Sequence, residues 1–284
     1  MVPSIDIALR TLLNDSLAEL ETSINSDILT YFGPIVDGNE NDILNIIEDL
    51  AKSEDKREQL AVILTTNGGS ATAVERYVNI IRHHYKKVIF IVPDCAYSAG
   101  TIFCMSGDDI WMDYFSVLGP IDPQVPNKEG KYVPALGYLD KINELICKAQ
   151  NNTLSNAEFL ILKDFDLAEL KGYEQARELT ISLLKKWLVN YKFQNWNKHK
   201  SGRDVTLEEK EKRAEEIASK LGDNNAWKAH GRPIDINALK ALKLKVTDYS
   251  NMPEREHIRN YYKIIRDYIA RYKFPMFIHT RKFL

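Results

Sequence analysis

The chain has only three cysteines, Cys95, Cys104 and Cys147, and none is spaced as a CxxC pair. Three thiols cannot all pair internally, so a disulfide-stapled scaffold is excluded, no zinc-type spacing is present, and reduced thiols in a cytoplasmic protein are expected. A long apolar run is also missing. The most apolar window, Val88 to Met105, is interrupted by Pro93, Asp94, Ser98 and Gly100, so it reads as a strand and a buried helix rather than a membrane span. Asp6 and Arg10 stand where a secretory signal would require an uninterrupted apolar stretch, so a soluble intracellular protein is expected. Charge of one sign is not in excess: 38 Lys and Arg against 40 Asp and Glu give a formal net charge of −2, which offers no reason to expect a nucleic-acid partner. The local exception is residues 253–284, with eight basic against three acidic side chains, read as the solvated face of a helix. The glycine-rich signatures of nucleotide sites are absent too. Gly68-Gly69 lacks the Lys-Ser/Thr ending of a P-loop and does not match GxGxxG, so no nucleotide cofactor and no metal are expected.

What is there is a chain of 284 residues, 44% of them apolar, enough for one large core. Leu9, Leu12, Leu13, Leu17, Leu20 and Ile24 form a helical stripe over 5–25. An alternation then follows: strand 28–33, helix 41–51, strand 60–64, helix 71–84, strand 88–92, a helix after Ser98 and a short strand 109–112. Strands that are apolar at nearly every position and separated by helices predict a mainly parallel sheet covered on both faces. Helices are expected over 138–151, 155–168, 173–194, 206–221 and 255–272, the fourth opened by a Thr206–Glu209 capping box, with 197–204 as a linker. The stripe Ile258, Tyr261, Tyr262, Ile265, Tyr268, Ile269 and Tyr272 on the last helix is a core or oligomer contact.

Ligands of such sheets bind at the carboxyl ends of the strands. That rule places Thr66-Asn67-Gly68-Gly69 and Ala96-Tyr97-Ser98-Ala99 on one edge, side by side if their strands are neighbours. A serine at a strand-to-helix turn has two readings. It can cap the helix, or it can be an exposed nucleophile whose following N–H groups favour a developing oxyanion. Gly68 and Gly69 lack side chains where a backbone would have to approach a ligand and present N–H groups. Ala99 N–H would supply a further donor.

Leu64-Thr-Thr-Asn-Gly-Gly-Ser-Ala-Thr-Ala73, Ala96-Tyr-Ser-Ala-Gly-Thr101 and Leu118-Gly-Pro-Ile-Asp-Pro-Gln124 resemble the Clp-fold serine proteases. The branch most resembled is the serine dehydrogenase proteinase family, distantly related to Clp protease and signal peptide peptidase A. Trp227-Lys-Ala-His-Gly-Arg-Pro-Ile234 extends the likeness towards residue 245. The resemblance implies an α/β, ClpP/crotonase-like fold over residues 1–250, including a helical second half, with 251–284 as a basic helical extension. It implies Ser98 as nucleophile and Gly68 or Gly69 with Ala99 as oxyanion hole. It further implies an ATP-independent peptidase acting on peptides or proteins as a homo-oligomer, dimer or ring.

The base is less clear, because Gly119-Pro-Ile-Asp-Pro123 holds no histidine where Clp protease has one. The family order Ser, Asp, His fits Ser98, Asp122 and His230. Asp122 is equally a turn residue before Pro123, and His230 a loop or helix-end histidine. His83 and His84 approach the opposite edge of the sheet, His199 falls in the polar linker, and His257 and His279 in the basic terminus. The rival is a Ser–Lys dyad through Lys141, which would have to be desolvated to act as a base. A crotonase-type acyl-CoA enzyme and a proteolytically silent oligomerisation module are the readings from other classes.

Overall fold

The computed structural model describes residues 4–126 and 132–284. In chain order the first half contains α1 (Ser4–Ile24), β1 (Asp27–Phe32), α2 (Glu40–Ala51), β2 (Gln59–Thr65), α3 (Ala71–His84), β3 (Lys87–Val92), β4 (Cys95–Ala96), α4 (Ala99–Met105), β5 (Asp109–Met112) and β6 (Val117–Leu118). The second half adds β7 (Gln124–Pro126), β8 (Tyr132–Pro134), α5 (Ala135–Gln150), α6 (Asn156–Lys163), α7 (Leu167–Trp187), α8 (Leu207–Leu221), α9 (Asn224–Trp227), α10 (Ile236–Ala241), β9 (Thr247–Asp248), α11 (Glu254–Tyr272) and β10 (Phe277–His279).

The central sheet runs β10-β1-β2-β3-β5-β9, parallel throughout except for β10 against β1. The near-continuous apolar runs of β1, β2 and β3 are explained by burial on both faces. Leu29, Tyr31, Val62, Leu64, Phe90 and Val92 meet α2, α3, α4, α7, α8 and α10 in the larger core. Ile28, Ala61, Ile63, Ile89 and Ile91 point the other way, onto α1 and α11. The fold class read from the strand–helix alternation is the fold observed.

Three differences from the sequence reading have local causes. The helix expected over 155–168 ends at Lys163, because Asp166 accepts the Ala168 N–H at 2.7 Å and starts α7. The end of that next helix widens into a π-helical turn, Leu188–Lys192. The stretch 197–204 is a closed turn rather than an open linker, with Lys198 bridged to Asp204 and the His199 N–H donating to Arg203 O at 2.8 Å.

The segment after residue 250 is built into the sheet. The stripe of α11 packs on α1, and β10 pairs with β1 through Thr30 opposite His279. Arg281 then donates to Glu21 at 2.8 Å and Asp27 at 2.7 Å, both carboxylates being buried. The cysteines are free, as expected from their spacing. No helix among the described residues is long and apolar enough to cross a membrane.

Candidate active site

β2 and β3 are parallel neighbours, so their carboxyl ends emerge together. Pairing continues beyond them: Thr66 N–H donates to Cys95 O at 3.0 Å, and Tyr97 N–H to Thr66 O at 3.0 Å. β4 pairs with β6, and Leu118 exchanges two hydrogen bonds of 2.9 Å with Ile234. The segments around Gly68, Ser98 and Gly119 and the bridge residue Ile234, four residues after His230, are therefore laid side by side.

Ser98 occupies the second position of a tight turn closed by Gly100 N–H to Tyr97 O at 2.8 Å. Its backbone is at φ 52°, ψ −116°, a region that favours glycine and costs another residue about 1–3 kcal/mol. Helix α4 begins directly after it, with Ile102 N–H on Ser98 O at 3.1 Å. The Ser98 side chain makes no capping hydrogen bond. Its half-buried hydroxyl is therefore not committed to the helix end.

Two positive-φ glycines form the neighbouring loop, with Gly68 against this turn and Gly69 against Ile35. A Cβ on Gly68 (φ 106°) would lie 2.8 Å from Ser98 Cβ, and one on Gly69 (φ 142°) would lie 1.9 Å from Ile35 O. Absence of side chains is thus a steric requirement on both sides of the loop. Gly68 N–H donates to Thr66 Oγ1 at 3.0 Å, while Gly68 O accepts from Ile35 N–H at 2.9 Å. The N–H groups of Gly69 and Ala99 donate to no acceptor among the described residues. Both are open to a ligand, as are the N–H groups of Asn67 and Ser98, which likewise meet no acceptor among the described residues.

The other expected residues are not joined to Ser98 by hydrogen bonds. Asp122 is fully buried beyond β6, where Oδ1 accepts from Leu136 N–H at 3.3 Å and Oδ2 has no partner among the described residues. Burial, with Asp140 adding repulsion, pushes its carboxyl up to about 6. His230 lies four residues before the Ile234 bridge, half-buried, with Nδ1 unpartnered among the described residues. Burial lowers its pKa below the ordinary 6.5, which favours the neutral imidazole. Lys141 is solvated on α5 and ion-paired with Glu144 at 2.9 Å, so nothing there supplies the desolvation a lysine base requires. Cys95, the nearest thiol in sequence, is pushed up to about 11 by burial and Asp94, away from the thiolate form.

The model of the ClpP-like SDH-type serine proteinases matches residues 35–270, most of this chain and every segment just described. The chain belongs to that family. Two uncharacterized proteins of Methanocaldococcus jannaschii, MJ1495 and MJ0137, are each 30% identical to it, over 194 and 200 residues. These matches cover 68% and 70% of this chain but 53% and 56% of theirs, so the chain spans about half the length of the curated relatives it matches. Among solved structures, it is similar to 1510-N membrane-bound stomatin-specific protease. A variant of that protein in complex with a substrate peptide aligns with a TM-score of 0.46 and 19% identity, over 79% of this chain and 75% of the other. A second variant gives a TM-score of 0.33 and 20% identity, over 63% and 89%.

Two residues of the candidate site are not singled out by the sequence. Thr101 is buried in α4, where its hydroxyl lies 2.8 Å from Ala96 O and 2.9 Å from Gly119 O and accepts Gly119 N–H at 3.0 Å. It ties the Asp122 loop to the serine turn. Thr66 holds the glycine loop. Both lie inside the motifs of the resemblance, but residue type alone does not mark them, since Thr66 stands in the polar run Thr65-Thr66-Asn67 and Thr101 in the short helix α4.

Proposed function

We propose that the chain is a serine peptidase in which Ser98 Oγ attacks the peptide carbonyl. The proton passes to His230 and then to the leaving amine, and water resolves the acyl-enzyme in the same way. Gly69 N–H and Ala99 N–H bind the oxyanion, with removal of one such donor costing about 3–4 kcal/mol of transition-state stabilisation. Asp122 orients His230. The steps use only groups of this chain and a water.

The observation that carries this reading is the strained Ser98 turn, with an uncommitted hydroxyl set against a glycine loop that has no room for side chains. His230 is favoured over Lys141 because the segment it begins is bridged to β6 through Ile234 and burial favours its neutral form, whereas Lys141 is solvated and ion-paired. The histidine–serine bond would form on substrate binding, since catalytic hydrogen bonds are often long before the Michaelis complex.

Hydrolysis of fluorescein-labelled casein, lost in Ser98→Ala and reduced in His230→Ala but not in Lys141→Ala, tests the assignment. Equal loss from His230→Ala and Lys141→Ala would contradict it. A cytoplasmic homo-oligomer, dimer or ring, completes the proposal, with Phe159, Leu160 and Ile161 of α6 exposed. Sedimentation velocity tests it.

A further inference from the structure

Thr66, 2% exposed at the end of β2, touches all three parts of the proposed site. Its backbone pairs with Cys95 and Tyr97 and so extends the sheet into the serine turn. Its methyl lies beneath α4, where a Cβ on Gly100 would come within 2.3 Å of Thr66 Cγ2. Its hydroxyl accepts the Gly68 N–H at 3.0 Å and lies 3.4 Å from Gly68 O.

We infer that Thr66 is a positioning residue for the oxyanion hole. Its hydroxyl withdraws the Gly68 N–H and orients the Gly68–Gly69 peptide, so that Gly69 N–H joins Ala99 N–H as donor. The inference rests on the peptidase reading and names which glycine serves it and what selects that glycine. A trans peptide is planar, so Gly68 C=O and Gly69 N–H point in opposite directions. Ile35 N–H holds that carbonyl from one side at 2.9 Å. Two consecutive glycines rotate their shared peptide easily, so this carbonyl anchor needs a partner on the preceding N–H. Thr66 Oγ1 is that partner. Without it, Gly68 N–H becomes a buried unpaired donor, and rotation of the loop relieves that state by turning Gly69 N–H away.

The experiment compares Thr66→Val, which keeps the methyl and removes the acceptor, with Thr66→Ser, which keeps the acceptor and removes the methyl. The readouts are the second-order rate of fluorophosphonate labelling at Ser98, the kcat and KM for fluorescein-labelled casein, and the Tm. Thr66→Val is expected to lower the labelling rate and kcat by about 10²-fold, the effect of losing one oxyanion donor, with KM within about threefold. Thr66→Ser is expected to label within about threefold of wild type although it melts lower, having lost packing beneath Gly100. A folded Thr66→Val that labels at the wild-type rate overturns the inference. If Thr66→Val does not fold, Thr66→Ser against Thr66→Ala isolates the same hydroxyl, and equal labelling of those two overturns it. Wild type that is not labelled at all overturns the peptidase reading instead, before any Thr66 variant is compared.

Discussion

At the scale of single residues, the sequence carried the glycine pair and the serine because both lie at strand-to-helix turns, where residue type reports backbone conformation. It did not carry Thr66 and Thr101, whose roles depend on partners brought in by strand pairing. The choice between Gly68 and Gly69 likewise rests on a hydrogen bond to Thr66. Gly69→Ala is expected to abolish labelling and lower the Tm, because its Cβ meets Ile35 O at 1.9 Å; wild-type behaviour in both would contradict the placement of that loop. If His230 is the base, kcat/KM falls on the acid side with a midpoint below the ordinary 6.5, and His230→Ala lowers it by about 10²–10⁴-fold. Asp122 gives a prediction of opposite sign for stability and activity. Its folded carboxyl is raised from 3.8 to about 6, so the folded state holds the proton more tightly than the unfolded chain. That stabilisation is full below 3.8 and is lost as pH rises through about 6. Asp122→Asn is therefore expected to raise the Tm relative to wild type at pH 7.5 while lowering kcat. A lower Tm with unchanged kcat would show a structural carboxylate that does not serve His230.

At the scale of elements, the strands buried on both faces and the long helices are legible because a continuous apolar run or a helical stripe is sustained over six or more residues. β4, β6, β9 and β10 are two or three residues long and carry no period of their own. They exist because a neighbouring strand offers unpaired groups. The break between the helices expected over 155–168 and 173–194 falls earlier, at 164–166, because a single aspartate cap outweighs a helical stripe that runs past it. The C-terminal strand is held by a buried charge cluster in which Arg281 meets Glu21 and Asp27. Arg281→Ala leaves Arg57, at 3.1 Å and 3.9 Å, as the remaining cation beside the two carboxylates among the described residues, with Ile28 N–H still donating to Glu21 and Tyr85 OH to Asp27. An expected loss of about 3 kcal/mol, read by urea denaturation, follows from uncovering buried charge; no change in midpoint would show that Arg57 alone suffices.

At the scale of the whole molecule, the sheet is a sandwich filling whose second cover comes from the two ends of the chain. Ile28, Ala61, Ile63, Ile89 and Ile91 are roofed by α1 and α11 together. A chain truncated after residue 250 is expected to lose cooperative thermal unfolding, and a sharp native-like transition in calorimetry would contradict that architecture. The proposed site is a product of the same assembly, because the segments at 66–69, 98–101 and 118–122 and the stretch leading to Ile234 are distant in sequence and meet only across paired strand ends. Its most direct test is intact-mass spectrometry of the native chain after treatment with a fluorophosphonate, with peptide mapping of the adduct. One adduct on Ser98, absent after urea unfolding and absent in Ser98→Ala, is the result expected. An unmodified native chain, or an adduct that persists in Ser98→Ala, would contradict Ser98 as the nucleophile.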